Sequence, residues 1–179
     1  MSEVRHLERH ALALLRQIDR TEQLETEYRV EDRKLVAIES DVLVPAWDQT
    51  GSGAHSVEHL IAFCDPLLAG GAQLLGAFDG QDVVGMAVID RALRPGIGWL
   101  ALLHVSNGQR RAGVGQALWD ACARLVSNSG AYAMYVSATP TGSAVSFYLK
   151  QGCRLAGPED IVQDLFALEP EDVHLVCAL

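Results

Sequence analysis

Apolar and polar positions follow a strand–turn–helix order over residues 99–126. The uninterrupted apolar run 99–105 is typical of a strand that is buried on both faces. A short polar segment, 106–111, separates this run from a stretch in which apolar residues recur at helical spacing. The apolar positions of that stretch are Val114, Leu118, Ala121, Cys122 and Leu125. The pattern therefore predicts a central strand, a tight turn and a helix.

Two glycines, Gly113 and Gly115, stand where this helix begins, directly after Arg110 and Arg111. The first backbone N–H groups of a helix have no partner inside it and lie at the positive end of its dipole. Such a helix start is typical of a phosphate site, and arginines add charge-assisted hydrogen bonds. A Walker A loop would require a lysine, and a dinucleotide fingerprint would require glycine where Leu118 stands. A glycine-rich helix start without a ligand is the alternative interpretation.

The N-terminal third of the chain is predicted to contain two helices and a hairpin. Apolar spacing indicates a helix over residues 4–20, with Ser2 as its N-cap. Residues 27–30 and 34–40 alternate around a charged turn and predict a β-hairpin. Residues 41–54 are read as a loop, and 55–68 as a second helix that Pro66 is expected to end or kink.

The remaining segments complete an α/β pattern. A second hairpin, formed by 73–78 and 83–90, precedes the central strand. After the central helix we predict a strand over 131–139, a turn over 140–142, a helix over 143–151 and a last strand over 173–179. This order of elements indicates one α/β domain with a mixed sheet, spanning residues 1–179.

Composition excludes several classes of protein. The chain has 179 residues, 49% of them hydrophobic and 21% charged, which is ordinary for a globular domain. The net charge of -9 and the lack of a basic face argue against nucleic-acid binding. Neither a signal peptide nor an apolar run long enough to span a bilayer is evident, so we expect a cytoplasmic protein without a membrane partner. The four cysteines lack metal-type spacing, and we expect all of them to be reduced and no metal to be bound.

The phosphate-type turn and a second motif together resemble the GCN5-related N-acetyltransferase (GNAT) family. The turn matches a pattern of Arg or Gln, two residues, Gly, one residue and Gly or Ala after a strand. Residues 144–153, Ala-Val-Ser-Phe-Tyr-Leu-Lys-Gln-Gly-Cys, are similar to the family's signature around Phe-Tyr and Gly-Phe. Thr141 and Cys153 depart from it, where the family often has Asn and Phe. The resemblance covers roughly residues 74–179, and 168–175 resemble the ending of one uncharacterised branch.

The resemblance implies a fold and a co-substrate. The expected fold, α/β (α+β), is the GNAT-type acyl-CoA N-acyltransferase fold. It has a mixed, mostly antiparallel central sheet of six or seven strands, flanked by about four helices and splayed between its two central strands. The co-substrate would be acetyl-CoA, and a homodimer is compatible with the family. By resemblance, the cofactor-binding residues are Leu103, His104, Val105, Arg110, Arg111, Ala112, Gly113, Val114, Gly115, Gln116, Thr141, Ser143, Ser146 and Tyr148.

The resemblance also implies direct attack of an amine on the thioester in a ternary complex, without an acetyl-enzyme. The N–H of Val105 is the candidate for polarising the acetyl carbonyl, and Tyr148 is the candidate general acid. His104 is a candidate base, although strand alternation puts it on the same face as Leu100 and Leu102, where a buried structural histidine is equally expected. Weaker candidates for the base are Glu39, Glu171, Asp172 and His174.

The acceptor is expected to be a primary amine on a small molecule, an amino acid, an antibiotic, or a peptide or protein. If Glu171 and Asp172 face the cleft, a cationic amine is favoured; a solvated acidic loop is the alternative. A non-catalytic acyl-CoA sensor or complex subunit is the rival function. Such a protein would keep the glycine turn but would not need Tyr148.

Overall fold

Seven strands form the central sheet of the computed structural model, which describes residues 2–51, 53 and 56–179. Their order across the sheet is β1-β4-β5-β6-β7-β9-β8, and all neighbours are antiparallel except the parallel pair β6–β7. The expected mixed, mostly antiparallel sheet is confirmed. The strands are β1 Glu3–Leu7, β4 Gln73–Asp79, β5 Asp82–Arg94, β6 Ile97–Val105, β7 Ala133–Ala138, β8 Arg154–Leu155 and β9 Val173–Ala178.

Helices cover both faces of this sheet. On one face lie α2 and α3, and a core that includes Leu118 and Met134 fills the space beneath them. On the other face lie the first 3₁₀ helix and α1, over a core that includes Leu15, Cys64 and Met86. The helices are the 3₁₀ helix Arg9–Gln17, α1 Val57–Ala69, the 3₁₀ turn Asn107–Gln109, α2 Val114–Asn128, α3 Gly142–Lys150 and α4 Gln163–Leu168. The sheet is therefore the middle layer of three.

The predicted first hairpin is confirmed, but it is longer than the pattern indicated and forms a sheet of its own. It consists of β2 Glu22–Glu31 and β3 Lys34–Val44. The Tyr28 N–H donates to the Pro140 carbonyl at 2.8 Å, next to the start of α3. A Cβ on Gly142 would lie 2.9 Å from the Thr26 carbonyl oxygen, so glycine permits this close approach. The hairpin is thus packed against the loop that leads into the tyrosine-bearing helix.

The prediction of one helix over residues 4–20 is wrong. Residues Glu3–Leu7 form an edge strand paired with β4, and Ser2 is not a helix cap. The following segment is a 3₁₀ helix, in which Leu12, Leu15 and the adjoining Ile18 are buried. Those three positions are spaced by three residues, which is the period of a 3₁₀ helix rather than of an α-helix. Pairing with a distant strand outweighed the local helical pattern here.

The second helix begins where the sequence placed its cap. The Ser56 hydroxyl accepts a hydrogen bond from the His59 N–H at 3.1 Å, which is N-cap geometry. Pro66 lies inside the last turn, and the helix continues to Ala69 instead of ending at the proline. His55, in the predicted helix, and Ser52 and Ala54, in the predicted loop, lie outside the described residues.

A disulfide joins Cys153 and Cys177, so the expectation that all four cysteines are reduced is wrong for this pair. The two residues continue the antiparallel register of β8 and β9, and their Cα atoms are 4.1 Å apart. Closing a loop of this length stabilises a fold by about 3 kcal/mol in the chain-entropy model. Cys64 and Cys122 are buried thiols, as expected. Because of the disulfide, the state of the cysteines no longer supports a cytoplasmic location.

Candidate active site

A gap opens between the two central strands, as expected for the splayed sheet. The parallel pairing of β6 with β7 runs from Ile97 to Leu100 on β6 and stops at Val136 on β7. On the other side of β6, Val88 pairs with Leu102 and the next residue of β5 pairs with Leu100, so Ala101 is an extra residue. Such a bulge bends a strand and increases its twist. The strands therefore diverge at the bulge.

Beyond Leu100, the β6 edge that faces this gap has no strand partner in β7. The Ser106 N–H donates to the Val84 carbonyl at 2.9 Å, so 106 and 84 are a hydrogen-bonded pair of the antiparallel register. Because such pairs alternate, the polar main-chain groups of Leu103 and Val105 point away from β5, toward the gap. Those of His104 point toward β5. The register therefore favours Leu103 and Val105, but not the His104 main chain, as partners for a ligand strand.

The turn before α2 leaves a compact set of donors. The N–H groups of Arg110 and Ala112 are already used, by the carbonyls of Asn107 and Gln109. Gly113 is the N-cap with φ 85°, a left-handed conformation that favours glycine. Between Arg110 and Ala117, in the described structure, the main-chain N–H groups that donate to no acceptor within the protein are those of Arg111, Gly113, Val114, Gly115 and Gln116. They suit an anion at the positive end of the helix dipole.

The Arg110 side chain holds neighbouring segments together. Its guanidinium forms an ion pair with Glu22 at 2.7 Å and donates to the carbonyl oxygens of Arg20 and Val105, both at 3.3 Å. It thereby connects the first hairpin, the loop before it and the end of β6. Arg111 is exposed and has φ 66°. Of the two arginines, Arg111 is therefore the one whose side chain is placed to reach an anion.

The start of α3 lies beside this turn. Thr141 is its N-cap, and the hydroxyl accepts from the Ala144 N–H at 3.3 Å. The Ser143 hydroxyl oxygen lies 3.3 Å from that of Thr141, and the Ser146 hydroxyl lies 3.5 Å from the Tyr28 hydroxyl. The Gln116 amide bonds to Gln151, which ties α2 to the end of α3. These side chains surround the helix that carries Tyr148.

Tyr148 is buried, with only 6% of its surface exposed, and its ring packs against the rings of Trp119 and Phe147. Its hydroxyl has no recorded hydrogen-bond partner in the part of the chain that the structure describes. Burial raises the pKa of this phenol, and the Cys122 thiol and the Asp172 carboxylate raise it further. The hydroxyl is therefore protonated throughout the physiological range and is available to donate.

His104 lies on the other face of the sheet. The bulge at Ala101 interrupts the alternation, so His104 shares its face with Leu102 but not with Leu100, which corrects the sequence expectation. Its ring meets the Trp47 ring edge-on at 5.1 Å. Burial lowers the His104 pKa to about 4, and the charges of Arg20 and Arg110 contribute. The imidazole is therefore neutral at pH 7 and a weak base.

A group centred on Glu169 was missed by sequence reasoning. The Ser137 hydroxyl donates to the Glu169 carboxylate at 2.5 Å, and His174 Nε2 lies 3.0 Å from the Glu169 carbonyl oxygen. A carbonyl only accepts, so Nε2 carries the proton and Nδ1 accepts from the Tyr135 hydroxyl at 2.8 Å. Asp172 donates its N–H to the same Glu169 carbonyl at 3.1 Å. The apolar patterns contained no signal for this turn between α4 and β9.

The comparison with known families agrees with this geometry. A model of the Acetyltransferase (GNAT) domain matches residues 46–166, which is more than half of the chain. The chain therefore belongs to the GNAT acetyltransferase family. Its activity is accordingly N-acetyl transfer from acetyl-CoA to an amine, and the main-chain donors and the open strand edge suit the diphosphate and the extended arm of that co-substrate.

Solved structures similar to this chain have the same fold at low sequence identity. Nourseothricin acetyltransferase superposes with a TM-score of 0.72 at 15% identity, covering 99% of this chain and 98% of its own. A provisionally named streptothricin acetyltransferase of Bacillus anthracis str. Ames, solved with acetyl coenzyme A, superposes with a TM-score of 0.67 at 14% identity. The match covers 100% of this chain and 99% of that protein. PaiA N-acetyltransferase of Thermoplasma acidophilum, solved with coenzyme A, superposes with a TM-score of 0.63 at 15% identity. The match covers 100% of this chain and 99% of that protein. No curated protein matches the sequence of this chain.

Neither a metal-type cluster nor a membrane-spanning helix is found among the described residues. Across residues 2–51, 53 and 56–179, no three or more His, Cys, Asp or Glu side chains are grouped so that they could hold a metal ion. None of the helices described is both long and apolar enough to cross a membrane.

Proposed function

We propose that this protein acetylates a positively charged primary amine, with acetyl-CoA lying across the α2 turn and its thioester in the gap between β6 and β7. The observation that supports this most strongly is a pair of main-chain surfaces whose N–H groups are not used by a neighbouring strand or helix. One consists of the N–H groups at the start of α2, and the other is the gap-facing edge of Leu103 and Val105. The short segment 106–112 joins these two surfaces, so the chain itself limits the distance between them.

Each part of the co-substrate has a proposed set of partners. The diphosphate would accept from the N–H groups of Arg111, Gly113 and the first turn of α2, with the Arg111 side chain adding a charged donor. The extended arm would pair with Leu103 and Val105 as an added strand. Ala112, Thr141, Ser143 and Ser146 stay predicted contacts along this path. Arg110 contributes by holding the turn in position.

The chemistry follows from the groups at the gap. The Val105 N–H would donate to the carbonyl oxygen of the thioester, where negative charge develops during attack. The Tyr148 hydroxyl would give its proton to the departing sulfur. Because both substrates are held together, proximity replaces a covalent intermediate. We assign His104 a packing role against Trp47, and not a role as a cofactor ligand through its main chain.

The acceptor is proposed to be cationic because the acidic groups lie at one end of the gap. Glu169 is bonded to Ser137, and Asp172 directly precedes β9, both near the end of β7 that no longer pairs with β6. After Arg154 the chain contains no Lys or Arg, so these carboxylates have no basic neighbour in their own segment. A negative field of this kind attracts an ammonium group.

One domain is proposed for residues 1–179. The N-terminal strand β1 and the C-terminal strand β9 belong to the same seven-stranded sheet, which supports a single folding unit.

The test is release of coenzyme A thiol from acetyl-CoA across an amine panel, with acetyl-CoA binding measured in parallel. The panel contains polyamines, lysine-type amines, streptothricin-class antibiotics, neutral amino acids and acidic amino acids. We expect kcat/KM for polyamines and lysine-type amines to exceed that for acidic amino acids by at least about tenfold, as one favourable charge contact provides. A preference for neutral or anionic amines would contradict the cationic acceptor. Binding without thiol release from any amine would favour the acyl-CoA sensor.

A further inference from the structure

We propose that the Asp172 carboxylate accepts the proton that the acceptor ammonium must lose, and that Glu169 is a positioning residue for the turn that carries it. This inference rests on the acetyl transfer proposed above. It selects Asp172 from the candidate bases and assigns a part in catalysis to Glu169, which no motif of the chain indicates.

Asp172 lies where the gap opens. It directly precedes Val173, which pairs with Ala138 on β7. Ala138 is two residues beyond Val136, the last β7 residue that pairs with β6. Asp172 is half-buried, so it is partly shielded from solvent but still accessible to a substrate. Its place at this end of β9 puts it at the mouth of the gap, on the β7 side.

Glu169 is held rigidly beside it. The Ser137 hydroxyl holds the Glu169 carboxylate, while the His174 ring and the Asp172 N–H both donate to its carbonyl. The buried Tyr135–His174 pair supports this arrangement from behind. The Glu169 side chain is therefore held in place within the turn that bears Asp172. Burial, followed by the Glu169 charge, raises the pKa of Asp172 to about 7.

Tyr148 supplies an independent observation that this place takes a ligand. Only 6% of the residue is exposed, and its hydroxyl forms no hydrogen bond with the residues that the structure describes and is not among the fully buried unpaired atoms, so the hydroxyl is open to a ligand. The Asp172 charge acts on this same phenol, so the base and the acid lie within electrostatic reach of each other. An unpartnered donor next to a carboxylate at the mouth of a gap is suited to a substrate lying between them.

The other candidate bases are less suitable. His104 has its pKa lowered to about 4, and the charges of Arg20 and Arg110 that act on it would repel an ammonium. Glu39 and Glu171 are exposed, and neither is a cause of the raised pKa of Asp172 or of Tyr148. A base works best when its pKa is near the working pH, which favours Asp172.

The protons of the reaction balance as follows. The ammonium gives one proton to Asp172, and the neutral nitrogen then forms a C–N bond with the thioester carbonyl carbon. As the C–S bond breaks, the sulfur takes the Tyr148 proton. The second proton lost by the nitrogen restores the phenol, and the proton on Asp172 goes to solvent. The sum is ammonium plus acetyl-CoA giving the N-acetyl product, coenzyme A thiol and one proton.

Protonation of Asp172 also affects the acidity of Tyr148. Burial raises the pKa of Tyr148 most, and the charge of ionised Asp172 adds to this effect. Once Asp172 has taken the substrate's proton, that charge is gone and Tyr148 becomes a stronger acid. The acid is therefore strengthened at the stage when it must donate to the sulfur.

Asp172→Asn and Glu169→Gln test this inference, with Asp164→Asn, an exposed carboxylate in the same segment, as the charge-matched control. We expect Asp172→Asn to lower kcat/KM about a hundred- to a thousandfold while acetyl-CoA affinity is unchanged. In the parent, kcat/KM should rise with pH through about 7, since Asp172 must be ionised; burial and the Glu169 charge set its pKa, and the Tyr148 phenol is neutral in this range. Glu169→Gln, which keeps an acceptor for Ser137, should move this limb to lower pH. Asp164→Asn should leave it in place.

A stability measurement separates a base from a merely structural carboxylate. A carboxyl whose pKa is raised by folding favours the folded state below its unfolded pKa, near 4, and loses that advantage as pH rises toward 7. The melting temperature of Asp172→Asn should therefore exceed that of the parent at pH 8 and equal it at pH 4. If the parent is active, the inference about Asp172 is overturned by an unchanged kcat/KM in Asp172→Asn, or by a pH dependence of kcat/KM in Glu169→Gln that equals that of the parent. Neither result would affect the proposed function. A parent that releases no thiol with any amine would overturn the proposed function as well.

Discussion

Replacing Tyr148 with phenylalanine is expected to lower turnover about ten- to a thousandfold and to leave the affinity for acetyl-CoA unchanged. The range is that of a general acid–base contribution. The ring would keep its packing against Trp119 and Phe147, and the hydroxyl that is removed has no recorded partner in the described residues. The loss should therefore appear in kcat, measured by thiol release with the best amine, and not in the melting temperature.

Tyr132→Phe is the matched control for this variant. Tyr132 is 66% exposed in the turn before β7, so the same hydroxyl is removed at a place remote from the gap. Its turnover should equal that of the parent. Full turnover in Tyr148→Phe would remove Tyr148 from the mechanism, whereas loss of binding and of thermal stability together would make its role structural.

Gly115→Asp is expected to lower acetyl-CoA affinity about a hundred- to a thousandfold without unfolding the protein. A Cβ at this position would lie 3.5 Å from the Phe147 ring, which is an ordinary contact. An acidic side chain in the first turn of α2 also interacts favourably with the helix dipole. The same carboxylate would stand where the diphosphate is proposed to bind, and like charges about 4 Å apart cost about 4 kcal/mol at an effective dielectric constant of 20.

Gly115→Asn separates charge from size in this experiment. It introduces a side chain of nearly the same shape without the negative charge, so its affinity should lie much closer to that of the parent. Calorimetric titration with acetyl-CoA measures both variants. Equal affinities for the parent and Gly115→Asp would place the diphosphate elsewhere on the protein.

Local patterns were sufficient for the parts of the fold that surround the co-substrate. The strand β6, the turn with Gly113 and the helix α2 follow each other in the chain, so spacing and turn chemistry predicted them together. The helix that bears Tyr148 was found for the same reason, and its cap Thr141 stands one residue before the helix. The family resemblance supplied the expectation that β6 and β7 diverge.

Non-local pairings account for what the sequence did not predict. Residues 3–7 have a helical pattern but gain a strand partner in β4, about seventy residues later, which no local signal announces. The disulfide depends on the pairing of β8 with β9, and the bulge at Ala101 depends on the register with β5. The position of Glu169 depends on Ser137 and His174, which lie on two neighbouring strands.

Amide NMR with a titration of coenzyme A tests the central claim most directly, because that claim concerns individual main-chain N–H groups. Addition of coenzyme A should shift the amide resonances of Leu103, Val105, Gly113, Val114 and Gly115 most strongly. The His104 and Ala112 amides, which already donate within the protein, should shift less. Shifts concentrated at other parts of the chain, with the Gly113–Gly115 amides unmoved, would contradict the account.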